Sequence, residues 1–171
     1  MVELILMRHG KAVSSTPAGD HARSLSPRGL AEAAEAGTAL LRLGLPDFAL
    51  VSDARRTRET FDRVVESAGR PIAHRFEPDL YGASPRAILA AVASAPKECR
   101  RLLVVGHNPG IGDLARQLSG PDESDLAATM EGHFPTSALA LVRLEIDRWA
   151  QAKAGGRLEA YIVPQAWRDS R

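Results

Sequence analysis

Apolar positions along the chain alternate between two rhythms. Short uninterrupted runs at residues 4–7, 48–52, 71–74 and 102–106 read as buried strands. Between them, apolar residues recur at helical spacing. Ser26-Pro27 supplies a cap and a first-turn proline, after which Leu30, Ala33, Ala34, Gly37, Leu40 and Leu41 are expected on one inward face. Thr57, Phe61, Val64, Val65 and Ala68 define a second helix that stops at Gly69-Arg70-Pro71. Ser84-Pro85 opens a third with Ile88, Leu89 and Val92 inward, and Pro109 opens a fourth with Ile111, Leu114, Ala115 and Leu118 inward. Residues 120–130 are polar and acidic and read as a loop with a short helix. Residues 137–145 and 157–164 then form two strands joined across Ala154-Gly155-Gly156, an antiparallel pair. The alternation predicts a three-layer α/β/α sandwich whose sheet is mostly parallel, with an antiparallel C-terminal addition.

Composition narrows the class. A chain of 171 residues with neither repeat nor low-complexity tract is expected to be one domain spanning 1–171. A formal net charge of +1 argues against a general nucleic-acid binder, which would carry a basic excess. Cys99 is the single cysteine, so neither an internal disulfide nor a cysteine-rich metal site can form. Its place before a strand suggests packing rather than reactivity. The apolar start is short and runs at once into Arg8, unlike a signal peptide, and no stretch approaches a membrane span. A cytoplasmic protein is expected.

Three polar segments each follow a predicted strand: Arg8-His9-Gly10, residues 52–60 (SDARRTRET), and Gly106-His107-Asn108-Pro109-Gly110. In a parallel sheet the carboxyl ends of strands face one edge, where ligands bind, so distant segments can converge there. Arginines would repel a cation, so no metal is expected; an anion is the natural guest. Guanidinium forks match phosphate oxygens, and helix N-termini add backbone donors. A neutral imidazole can attack phosphorus, and a second imidazole, if protonated, can support the developing charge. Each feature also has a plain structural reading. Arg8 and His9 alone could be a polar strand end, His107 a packing histidine in a turn, and Arg55 and Arg58 a solvated helix face. Lys11 fits either the guidance of anions or simple solvation, while His21, His74 and His133 read as surface or loop residues.

The segments MRHG, VSDARRTRET and VVGHNPG, in that order, resemble the histidine phosphatase (phosphoglycerate mutase-like) superfamily. The short length, with FEPDLYGAS and FPTSALAL, resembles its small branch, the SixA-type phosphohistidine phosphatases; the likeness runs from residue 2 to about 142. The resemblance implies that His9 is a nucleophile that becomes phosphorylated and that Arg8 holds a phosphoryl oxygen. Arg56 matches the second family arginine in Ser-Pro-x-x-Arg, with Asp53 in place of the proline, where it is expected to cap the helix. His107 matches the second family histidine. Asn108 is a candidate to offer its backbone amide to phosphate, and Thr136 and Ser137 match as packing residues at a strand start. Larger members carry a carboxylate that protonates the leaving oxygen; here Asp79 is the candidate. Lack of a strong acid favours a labile phosphoryl donor, since a protonated phosphoimidazole leaves as neutral imidazole. The resemblance therefore implies a cofactor-free phosphatase acting on a phosphorylated protein, such as a histidine phosphotransfer domain. A small-molecule phosphomonoesterase and a non-catalytic phosphate-binding module are the alternatives.

Overall fold

β1, Val2–Arg8, is buried along most of its length, and its side chains divide between two cores. Val2, Leu4 and Leu6 join one apolar cluster, whereas Ile5 and Met7 join the other, as the twofold period of a strand requires. A strand covered on both faces needs a layer of helices on each side. The computed structural model, which describes residues 1–119, 130, 133–153 and 155–169, supplies both layers.

The sheet has six strands in the order β3-β2-β4-β1-β5-β6. β2 (Phe48–Ser52), β3 (His74–Glu77) and β4 (Arg101–Gly106) run parallel with β1, while β5 (Leu139–Leu144) and β6 (Arg157–Ile162) are antiparallel additions. α1 (Pro27–Leu43) and α2 (Arg55–Ala68) cover the face that carries Ile5, Met7, Leu103 and Val105. α3 (Pro85–Ala93) and α4 (Gly110–Ser119) cover the face of Leu4, Leu6, Leu102 and Val104. The expected α/β/α sandwich with a mixed sheet is therefore the fold observed.

Local chemistry accounts for the element ends. Ser26 and Ser84 accept hydrogen bonds from Gly29 N and Ala87 N, each capping a helix that has proline in its first turn. Gly69 ends α2 in the left-handed conformation. Two expectations shift. The strand expected at 71–74 forms three residues later, because Pro71 has no N–H to donate and pairing starts where Ala49 N reaches Ala73 O, at 2.8 Å. The inward face of α1 is also rotated: Leu30 and Leu41 are 41% and 50% exposed, whereas Gly29, Glu32, Ala33, Ala36, Gly37 and Leu40 are buried. Close helix contacts set this rotation, since a side chain at Gly37 would meet Val64 O at 2.5 Å. The acidic segment 120–130 lies outside the described residues except for Met130, and Ala154 of the expected turn lies outside them too.

Candidate active site

β1, β2 and β4 end side by side, and the segments that follow them meet above the sheet edge. His9, Arg56 and His107 are 8%, 5% and 7% exposed, an unusual density of buried polar side chains for neighbouring positions. The two imidazole centroids lie 5.2 Å apart. Arg56, in the first turn of α2, joins them: its Nε donates to His9 Nε2 at 3.3 Å and its Nη2 to His107 Nδ1 at 3.2 Å.

These contacts define both tautomers. The Gly10 carbonyl, 2.7 Å from His9 Nδ1, can only accept, so Nδ1 carries the proton. Nε2, facing an arginine that can only donate, therefore keeps its lone pair. In His107 the same reasoning leaves the lone pair on Nδ1, and Nε2–H donates to Ser52 Oγ at 2.8 Å. Burial pushes the His9 pKa down to about 3, and the neighbouring His107, Arg56 and Arg8 push the same way against the Gly10 hydrogen bond. His107 falls to about 4, again chiefly through burial and then Arg56. Both rings are neutral at physiological pH.

Arg8 ends β1 next to His9, and its Nη1 donates to Phe134 O at 3.0 Å. Asn108 Nδ2 donates to the same carbonyl at 2.8 Å, so Asn108 stands beside Arg8. Arg55 and Arg58 remain on the exposed face of α2: Arg55 pairs with Glu59 and Arg58 lies over the Phe76 ring. Asp53 does not cap α2, whose N-cap is Ala54; its carboxylate instead meets His21 Nε2 at 2.9 Å. Asp79 is exposed in the Pro78–Leu80 turn and makes no hydrogen bond to these arginines or histidines. Cys99 is buried, its thiol raised to about 11 chiefly by burial, which fits packing.

Sequence reasoning missed Asp20, Tyr81 and Ser52. Asp20 Oδ2 stands 3.1 Å from Arg56 Nη2 and accepts from the Tyr81 hydroxyl at 2.6 Å, while its backbone carbonyl accepts from Arg56 Nη1 at 2.7 Å. The Tyr81 hydrogen bond, then Arg23 and Arg56, hold the Asp20 carboxyl well below the usual carboxylate range. The Tyr81 ring meets His107 edge-on at 5.4 Å. Among the described residues no three histidine, cysteine or acidic side chains cluster where they could share a metal ion. Arg56 and two neutral imidazoles thus meet in direct contact, with the Arg8 guanidinium close enough to act on both rings, a setting for a tetrahedral oxyanion beside a nitrogen lone pair.

Residues 4–81, which include Arg8, His9 and Arg56, match the model of the histidine phosphatase superfamily (branch 1). A solved structure of a candidate phosphohistidine phosphatase SixA from Nakamurella multipartitia superposes with a TM-score of 0.81 at 33% identity, covering 96% of each chain. The chain belongs to the histidine phosphatase superfamily. A second superfamily structure, the protein histidine phosphatase SixA complexed with tungstate, shares the fold at TM-score 0.77 and 24% identity, covering 97% of this chain and 99% of that one. An uncharacterized Mycobacterium tuberculosis protein is 35% identical over 165 residues, 93% of this chain and all of its own length. As a phosphatase of the superfamily, the chain acts on a phosphorylated substrate. Among the described residues no helix is long and apolar enough to cross a membrane.

Proposed function

We propose that this phosphatase transfers a phosphoryl group from a phosphohistidine side chain of a protein to His9 Nε2 and then to water. The observation that carries the reading is the His9 tautomer: its proton is tied to the Gly10 carbonyl and its lone pair points toward Arg56. Arg8, Arg56 and His107 would hold the phosphoryl oxygens, and Asn108 would help to shape the floor beside Arg8. Ser52, by accepting from His107 Nε2–H, keeps the Nδ1 side of that ring turned to Arg56. A phosphoryl dianion would favour protonation of His107 by the opposite-charge effect, and the imidazolium would then neutralise charge in the transition state.

The steps balance without a separate acid. His9 Nε2 bonds to phosphorus while the bond from phosphorus to the substrate's imidazolium nitrogen breaks, and its electron pair returns to that ring. The substrate leaves as neutral imidazole, and His9 becomes an N-phosphoimidazolium whose Nδ1–H stays on the Gly10 carbonyl. Water then attacks phosphorus, the Nε2–P bond breaks, and His9 regains its neutral form as dihydrogen phosphate departs. One imidazole replaces another, so no alkoxide has to be protonated and proton transfer is not demanded. Support also comes from Asp20, the carboxylate beside the pocket: held ionised, it cannot protonate an alkoxide leaving group at neutral pH. Asp79, the other candidate acid, stands away from the pocket's hydrogen bonds.

Rapid quench with a 32P-phosphohistidine protein should trap acid-labile, base-stable label on His9. His9→Ala should lose the label and at least about a thousandfold of kcat. Full activity in His9→Ala would overturn the mechanism. Faster turnover of alkyl phosphates than of phosphohistidine would overturn the substrate class.

A further inference from the structure

Beside Arg8, a cavity of about 300 Å³ is lined by Arg8, Lys11, Arg28, Asn108, Phe134 and Thr136, among others. Three of these side chains are cationic. Among the described residues the anion bonded to this wall is Glu32, which is 1% exposed and has both oxygens occupied. Oε1 accepts from Arg28 Nε at 2.8 Å, and Oε2 accepts from Lys11 N at 3.1 Å and Thr136 Oγ1 at 2.7 Å. Among the described residues, Glu32 thus fixes the wall and balances one of three positive charges. Lys11 and Arg28 are exposed, and neither the Lys11 ammonium nor the Arg28 terminal nitrogens has a hydrogen-bond partner among the described residues. The inner wall is built rather than loose: Arg8 Nη1 and Asn108 Nδ2 share the Phe134 carbonyl. Two buried atoms of that wall, Arg8 Nε and Asn108 Oδ1, have no hydrogen-bond partner among the described residues.

We propose that this groove is a second anion subsite, which takes a carboxylate or phosphate group carried by the same substrate whose phosphoryl group is seated on His9. The inference rests on the phosphatase reading above and adds a substrate feature to it. Arg8 is common to both places, so a single ligand can span them with Lys11 and Arg28 on its second negative group. A peptide whose phosphohistidine is flanked by an acidic residue carries both negative groups, as does a small phosphorylated acid.

Competitive inhibition by ω-phosphonocarboxylates of two to four carbons, each set against the alkylphosphonate of equal length, tests the subsite in the intact protein. The best-fitting carboxylated member should bind about tenfold or more tightly than its uncharged partner. In Lys11→Gln/Arg28→Gln, where glutamine at 28 retains a donor for Glu32, that ratio should fall toward one. The ratio is read within each protein, so a general loss of activity cancels. Paired phosphohistidine peptides with Glu or Gln beside the modified residue distinguish the sources. A KM difference between them identifies a protein carrier, and selectivity confined to the phosphonates identifies a metabolite. Ratios near one in both arms, or a ratio kept in the double variant, would overturn the subsite. Inorganic phosphate and the His9→Ala variant serve as controls: turnover that survives in His9→Ala and that phosphate does not inhibit would overturn the His9 reading on which the subsite rests, whereas the subsite alone fails when both controls behave and the ratios do not.

Discussion

His9 has two nitrogens, and only their unequal partners make it a directed nucleophile. Nδ1 is held by a carbonyl one residue away, so Nε2 is the atom left for phosphorus. Arg56 has the opposite character: its Nη2 is shared between His107 and the Asp20 carboxylate, and its Nη1 goes to the Asp20 backbone carbonyl. Asp20 therefore stands as a resident anion on a guanidinium that the phosphoryl group must also use. A substrate has to loosen that pair or bind beside it against its charge. Asp20→Asn keeps an oxygen for Tyr81 and Arg56 but removes the negative charge. Inhibition constants for phosphate and tungstate should fall roughly twofold to fivefold, the scale of a half-exposed ion pair. The gap from the parent protein should shrink in concentrated salt, which screens it. Unchanged inhibition by both anions would show that Asp20 does not compete for Arg56.

The loop after β1 and the first turn of α1 are locked by two glycines. A Cβ on Gly10 would meet Gly29 O at 2.7 Å, and one on Gly29 would meet Lys11 O at 2.0 Å. From the other side, Thr60 on α2 accepts from Gly10 N at 3.0 Å while its hydroxyl donates to Arg56 O at 2.5 Å. The carbonyl that orients His9 is thus gripped by two helices. Gly29→Ala must push backbone against backbone and should cost about 1–3 kcal/mol, read by thermal or urea unfolding. Activity measured well below the transition should fall further than the folded fraction, because Gly10 moves with Lys11. A variant with normal stability would show that the loop yields without strain. The three strand-end segments were legible in the sequence because β1, β2 and β4 are short apolar runs, and parallel pairing carries their ends to one edge. Asp20 and Tyr81 were not, since they reach Arg56 from a turn and a loop with no periodic pattern. Ser52 was hidden for another reason: it reads as the last residue of a strand, and only the distance to His107 reveals its use. The face of α1 was misread because small residues and Glu32, rather than its leucines, make the tight contacts.

Burying two neutral histidines ties the stability of the whole molecule to pH. In the unfolded chain both titrate near 6.5, whereas in the fold they titrate near 3 and 4. Between those limits the unfolded state binds more protons, so stability rises with pH and falls on acidification. The effect is absent above about pH 7.5, where both states are neutral at these sites. Near pH 5 the difference approaches two protons, a slope of roughly 2.5 kcal/mol per pH unit. Asp20 adds to acid sensitivity only lower down, since a depressed carboxylate pKa acts below its unfolded value of 3.8. The window from pH 6.5 to 4.5 lies between the unfolded and folded values of the histidine pair, where the pair binds protons chiefly in the unfolded chain. Urea unfolding across that window should show the steep slope in the parent protein and about half of it in His107→Gln. Inorganic phosphate or tungstate should flatten the slope as well, because an oxyanion in the pocket favours the protonated rings and returns protons to the folded state. Equal slopes in the parent and His107→Gln would mean that His107 is protonated in the empty pocket. The anion would then meet an imidazolium already in place, and binding would draw no proton from solution.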